Sequence, residues 1–75
     1  RSARQAAANA NPALAALRQN LRAAKLLAAN GNQTDGMFQF GMATNSYASL
    51  TPDDQKAIGP EMNATASAVG MLAIY

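Results

Sequence analysis

Among the residues of this chain that could do acid–base chemistry are its four carboxylates, of which Asp53 and Asp54 are adjacent. A catalytic acid–base pair needs two groups that converge on one substrate. Asp53 and Asp54 follow Pro52 at a predicted helix start, where neighbouring side chains point about 100° apart. Carboxylates in the first turn of a helix also face the positive end of its dipole. We therefore interpret the pair as helix capping and not as a catalytic dyad.

The sequence offers few candidate residues for nucleophilic catalysis or for metal binding. The chain has no histidine and no cysteine, which supply most general bases, activated thiols and zinc ligands. Asp35 and Glu61 are too far along the chain from Asp53 and Asp54 to compose a calcium loop. The five glycines match neither the phosphate-binding loop nor the dinucleotide fingerprint. The sequence thus predicts a protein that is not an enzyme, with no metal, no cofactor and no small-molecule substrate.

The charges are divided unevenly along the chain. Residues 1–30 contain five basic residues and no acid, whereas residues 31–75 contain four acids and only Lys56. The formal balance is +5 against −3, which gives the net charge of +2. An ordinary solvated surface would account for this division. The functional alternatives are head-to-tail association of oppositely charged halves, and docking of the basic segment on an anionic surface.

The basic residues lie on the strongest predicted element, a helix over residues 12–29 that should be the longest in the protein. Asn11 is a good N-cap, Pro12 suits the first helical position, and Asn30-Gly31 is a stop signal. The apolar face of this helix consists of Leu14, Leu17, Leu21, Ala24, Leu27 and Ala28. The helix is therefore predicted to be amphipathic, with this face in the core.

Four residues of the same helix form the predicted partner-binding site. Arg18, Arg22 and Lys25 follow one edge of the apolar face, and Leu26 lies beyond them on the opposite side. A leucine outside the core face can contact a partner, while neighbouring cations set the orientation of that partner. We predict that Leu26 supplies the contact and that the three cations supply the orientation.

The middle of the chain gives a less consistent pattern. Residues 30–36 are predicted as a polar loop because they are rich in Gly, Asn and Asp. Residues 37–42 alternate like a strand, whereas Phe40, Tyr47 and Leu50 keep helical spacing. Helix is favoured, because a single short strand would leave its edge unpaired.

Two proline-containing signals organise the last third of the chain. Thr51-Pro52 is predicted to start a helix that Gly59-Pro60 breaks or kinks after about two turns. A last helix is predicted from about residue 61. Its apolar stripe would consist of Ile58, Met62, Ala66, Val69, Leu72 and Ala73, with Met71, Ile74 and Tyr75 widening it. Gly41 and Gly70 are expected to permit close helix packing.

Together these elements predict an all-α fold, a small bundle of four or five short helices in one domain over residues 1–75. Ser2 and Gln5 have capping-box spacing, which predicts a first helix within residues 1–10 that frays or orders with a partner. Arg1 in place of an initiator methionine suggests a secreted chain, processing from a precursor or an excised segment, and cysteine usage leaves every compartment open. The longest uncharged run, residues 62–75, is too short to cross a bilayer as a helix.

The function expected from the sequence is that of a non-catalytic helical interaction or assembly subunit. So short a chain buries little surface and has no cysteine for disulfides, so association with another chain is the expected source of stability. It would belong to a homo- or hetero-oligomer or to a processed larger protein. The alternative is a membrane-surface or anionic-surface module that uses the basic amphipathic helix 12–29. Nucleic acid is disfavoured as a partner because no aromatic residues interleave with the cations.

Overall fold

Three helices make up most of the chain that the structure describes. The structure is a computed structural model, and it describes residues 11–71 and 74–75. Helix α1 spans Pro12–Ala29, α2 spans Gln33–Ala48 and α3 spans Pro52–Ala68. The described residues contain no strand, so the predicted all-α class is confirmed. They contain three helices where four or five were expected, and the helix predicted within residues 1–10 lies outside them.

Helix α1 has the predicted bounds because both of its ends carry strong capping signals. The Asn11 side chain accepts a hydrogen bond from the N–H of Leu14 at 3.3 Å. At the other end Gly31 takes a left-handed φ of 82°. The N–H of Asn32 then donates to the carbonyl of Leu27 at 2.8 Å. This closure satisfies the last carbonyls of the helix and favours glycine at position 31.

Helix α2 begins earlier than the sequence predicted. The loop predicted over residues 30–36 is wrong beyond Asn32, because α2 starts at Gln33. Asn32 donates from its side-chain amide to the Asp35 carboxylate at 2.8 Å, and Asp35 lies in the first turn. An acid in the first turn stabilises the positive end of a helix. Residues 37–42 are helical, so the favoured interpretation of that segment is confirmed.

Gly36 permits the closest approach of α1 and α2. A Cβ added at Gly36 would lie 3.0 Å from the carbonyl oxygen of Ala24 and 3.4 Å from the backbone nitrogen of Ala28. Both neighbours belong to the backbone of α1, which could yield only by moving the helix. The predicted close-packing role of Gly41 is wrong, because a Cβ there would meet nothing within 4 Å. Gly70 lies after the end of α3 with a φ of 78°, and a Cβ there would clash with the side-chain amide of Gln33 at the start of α2.

Helix α3 continues through the proline that was expected to interrupt it. Thr51 caps its start, with the hydroxyl accepting from the N–H of Asp54 at 3.3 Å, as predicted. The break predicted at Gly59-Pro60 is wrong, because Pro60 lies inside the helix. Pro60 itself is exposed, while Ile58 and Met62 on either side of it are fully buried. Burial of both halves in one core offsets the backbone hydrogen bond that proline cannot make.

The core is built from one face of each helix. Its buried apolar residues are Leu17, Leu21, Ala24, Phe40, Ala43, Ile58, Met62, Ala66 and Val69. The predicted core face of α1 is confirmed at Leu17, Leu21 and Ala24, with Leu14 and Ala28 partly buried against the core, whereas Leu27 is only half-buried. The first part of the stripe predicted for the last helix is also confirmed. Thr65 is a buried polar residue, and its hydroxyl donates to the Glu61 carbonyl at 2.7 Å. Its hydrogen bond within the helix removes most of the cost of burying it.

Tyr75 folds back onto α2 instead of continuing a helix. The last predicted helix is wrong after Ala68, where α3 ends, and Ile74 is 96% exposed. The Tyr75 ring stacks edge-on against Phe40, with ring centroids 6.1 Å apart. Asn63 holds the backbone of Tyr75 from both sides: it accepts from the N–H at 2.7 Å and donates to the carbonyl at 3.3 Å. Leu72 and Ala73 lie outside the described residues.

Candidate partner-binding surface

Three of the four predicted partner-binding residues line one cleft between α1 and α3. Arg18, Arg22 and Lys25 come from successive turns of α1, and Glu61 faces them from α3. The cleft has a volume of about 270 Å³, and the buried side chain of Leu21 contributes to its wall. Three cations and one carboxylate leave the cleft with a formal excess of two positive charges. We call this region the basic cleft.

Arg18 differs from the other two cations because it has a carboxylate partner. Its Nε lies 3.5 Å from Oε1 of Glu61, and both side chains are nearly half exposed. An ion pair as exposed as this stabilises a protein by about 0–1 kcal/mol. It is the one ion pair among the described residues, so Arg22 and Lys25 have no carboxylate partner within that part of the chain. Their charges remain available to a partner.

Leu26 lies outside the basic cleft, on the face of α1 opposite the buried Leu17. It is 59% exposed, whereas Leu17 is fully buried, and the two are about 180° apart around the helix axis. Arg22 precedes Leu26 by one helical turn, so it borders both the cleft and this outer face. The four predicted residues therefore form two adjoining surfaces. We call Leu26 with Arg22 the Leu26 surface.

Sequence reasoning missed a second exposed apolar surface, on α2. Phe38 is 69% exposed, and Met42 and Met37 are also exposed. Phe38 and Met42 are one turn apart, and they lie about 160° and 120° around the helix axis from the buried Gly36. The alternation of Phe38 and Phe40 was the available signal: once the segment is helical, residues two apart fall on opposite sides. We call Phe38, Gly41, Met42 and Asn45 the outer face of α2.

Gly41 is in the middle of this outer face and is not required by any contact of the fold. Space above its Cα is open, in contrast to Gly36. Glycine in a helix interior costs about 1 kcal/mol relative to alanine. The chain therefore carries a helix-weakening residue at a half-buried position whose Cβ would face open space, between the exposed side chains of Phe38 and Met42.

Metal-ligating clusters and membrane-spanning helices are both absent from the described residues. Among residues 11–71 and 74–75 there is no group of three or more carboxylate, histidine or cysteine side chains that could hold a metal ion. Asp54 accepts a hydrogen bond from the Asn11 side-chain amide at 3.3 Å and sits in the first turn of α3. No described helix is both long and apolar enough to span a bilayer.

Comparisons of the chain with protein-family models, with curated proteins and with solved structures find no match. The features of the described residues that bear on function are the basic cleft, the Leu26 surface and the outer face of α2.

Proposed function

We propose that this chain is a non-catalytic helical interaction or assembly module that binds a protein partner through the Leu26 surface. The observation that carries the proposal is the exposure of Leu26, 59% on a helix whose Leu17 and Leu21 are buried. Helix α1 therefore has apolar side chains on two opposite sides, and only the side with Leu17 and Leu21 packs in the core of the chain. Arg22 and Lys25 next to Leu26 would orient the partner.

The free energy expected from burying Leu26 against a partner supports this role. Complete burial of a leucine contributes about 1.5–3 kcal/mol, and the methylene stem of Arg22 can cover apolar surface beside it. Protein interfaces have an apolar centre and a polar rim, and Leu26 beside Arg22 and Lys25 would fit such an arrangement. An acidic or neutral partner surface would suit the positive charges of α1.

The test compares two leucines on one helix. Leu26→Asp should weaken association and leave the helical circular dichroism signal unchanged, because the new carboxylate remains in water. Leu17→Asp should unfold the chain, because its carboxylate would be buried without a partner. Association is measured as molar mass by light scattering over a range of protein concentrations. Added salt should weaken it, because exposed charges are screened over about 10 Å at 0.1 M.

Two outcomes would contradict the proposed role of α1. If Leu26→Asp unfolds the chain, Leu26 belongs to the fold and not to a partner surface. If the variant associates like the wild type at every salt concentration, the Leu26 surface is not the binding surface. Leu26→Met is the matched control, because it keeps an apolar side chain of similar volume and should associate normally.

The second candidate function is binding to a membrane surface or another anionic surface. The observation in its favour is the pair Arg22 and Lys25, which lack carboxylate partners among the described residues beside the exposed Leu26. Such a face resembles an interfacial helix. Cosedimentation with phosphatidylcholine vesicles, with and without phosphatidylglycerol, tests it. Binding that requires the anionic lipid and that Leu26→Asp abolishes would favour this function over assembly.

A further inference from the structure

We infer that the partner of the Leu26 surface is a second copy of this chain, which receives Leu26 on its outer face of α2. This inference rests on the proposed function and adds the receiving surface and the way in which copies are arranged. It is carried by the shape of the outer face of α2, by the positions of the two surfaces on one molecule, and by their charges.

The outer face of α2 has the spacing of a hole for one side chain. Phe38, Gly41, Met42 and Asn45 are at positions i, i+3, i+4 and i+7, the four positions that surround an inserted residue when two helices pack knobs into holes. Gly41 leaves the bottom of this hole open, since a Cβ there would meet nothing within 4 Å. Phe38 and Met42 are exposed and form apolar sides. A leucine fits such a hole.

The two surfaces point away from each other on one molecule. Gly36 of α2 packs against the backbone of Ala24 and Ala28 in α1. Leu26 is about 160° around α1 from Ala24, and Phe38 is about 160° around α2 from Gly36. Leu26 therefore cannot reach the outer face of α2 in its own copy. Contact between two different surfaces on opposite sides of a molecule is head-to-tail, and it builds rings or open filaments.

The charges select a single register for this contact. Arg22 precedes Leu26 by four residues, about 6 Å along α1, and Asp35 precedes the centre of the hole by about 10 Å along α2. If the two helices run parallel, Arg22 of one copy lies within about 4 Å, measured along the axis, of Asp35 in the other. Helical side chains lean towards the N-terminus, which directs Arg22 towards Asp35. An antiparallel arrangement would move Arg22 away from Asp35.

The same charges disfavour pairing of the Leu26 surface with itself. A symmetric contact through Leu26 would bring Arg22 and Lys25 of both copies together, and like charges at an interface oppose association. The outer face of α2 is uncharged except for Asp35 at its edge. It is therefore the described surface that is complementary to the Leu26 surface in both polarity and charge.

Mixing of two variants tests the head-to-tail arrangement. Leu26→Asp destroys the inserted residue and keeps the hole, whereas Phe38→Asp destroys the hole and keeps the inserted residue. By sedimentation velocity the wild type should form dimers and larger species as concentration rises, and each variant should be monomeric. An equimolar mixture should recover association that stops at a dimer, because it contains one intact pair of surfaces. Circular dichroism checks that both variants stay folded.

Filling the hole gives a second test that does not depend on adding a charge. Gly41→Leu should raise the melting temperature, because leucine favours helix and the space is open. It should also raise the dissociation constant of self-association at least about tenfold, because the new side chain occupies the place of Leu26 from the other copy. Ala57→Leu, which adds a leucine at an exposed position of α3, is the control and should leave the constant unchanged.

The outcomes separate this inference from the proposed function. A wild type that is monomeric at every concentration, or variants that do not complement each other, would overturn the inference. It is also overturned if Leu26→Asp abolishes association while Phe38→Asp and Gly41→Leu leave it unchanged, a result that still supports the Leu26 surface. Unfolding of Leu26→Asp would instead contradict the proposed function. Complementation that stops at a dimer supports the inference.

Discussion

The two faces of α2 contain similar residues in opposite environments. Phe40 and Gly36 point into the core, where Phe40 is fully buried and Gly36 touches the backbone of α1. Phe38 and Gly41 point outward, where Phe38 is 69% exposed and Gly41 faces open space. The two phenylalanines are two residues apart and the two glycines are five apart. Their positions around the helix axis, and not their residue types, therefore decide which of them face the core. An apolar residue or a glycine therefore has a different structural role on each face.

Helix α1 also has a buried and an exposed apolar side, and its sequence makes the two sides easier to recognise. Its core face is marked by leucines at helical spacing, and three cations border it, so Leu26 is conspicuous as an outlier. Helix α2 has one charged residue, Asp35, and no polar stripe marks its solvent side. Where the polar residues do not define the phase of a helix, only the neighbouring helices reveal which face is buried.

The largest expected difference between the two faces of α2 is for its two phenylalanines. Phe40→Ala should lower the free energy of unfolding by about 3–5 kcal/mol, because it removes a fully buried ring and leaves a cavity. Phe38→Ala should change it by about 0.5 kcal/mol or less in the monomer. Urea denaturation in dilute solution measures both. Equal losses would mean that Phe38 is buried in the solution structure.

The two glycines should respond to alanine with opposite signs. Gly36→Ala should destabilise the fold by a net of about 1–2 kcal/mol, because overpacking against the Ala24 carbonyl outweighs the gain in helix propensity. Gly41→Ala should stabilise it by up to about 1 kcal/mol, because it gains the propensity without a clash. Melting temperatures of the two variants provide the measurement. Stabilisation by Gly36→Ala would show that α1 and α2 can separate at no cost.

The last expected effect concerns the way in which Tyr75 covers the core face. Asn63→Ala should cost about 1–2 kcal/mol, because it removes both hydrogen bonds to the Tyr75 backbone. The loss should also weaken the edge-on contact of Tyr75 with Phe40. Asn45→Ala, on the outer face of α2, is the control and should be nearly neutral. Near-UV circular dichroism of the tyrosines reports the release of Tyr75.

The predictable part of the candidate site is the part that local rules decide. Leu26 could be recognised as exposed because the core face of α1 and its caps were both clear, and the three cations followed from the same projection. The cleft between α1 and α3 could not be predicted, since the distance between Arg18 and Glu61 depends on how the helices pack. The outer face of α2 was missed because the alternation of Phe38 and Phe40 suits a strand as well as opposite faces of a helix.

Capping chemistry and periodicity in the sequence determined the bounds of α1, the start of α3, the all-α class and most core positions, because these depend on residues within a few positions of each other. The tertiary structure decided three further features. Helix α3 persists through Pro60 because Ile58 and Met62 are buried in one core. Gly36, and not Gly41, is the packing glycine because α1 lies over it. Tyr75 returns to the core because Asn63 and Phe40 are there to bind it, 12 and 35 positions away in the chain.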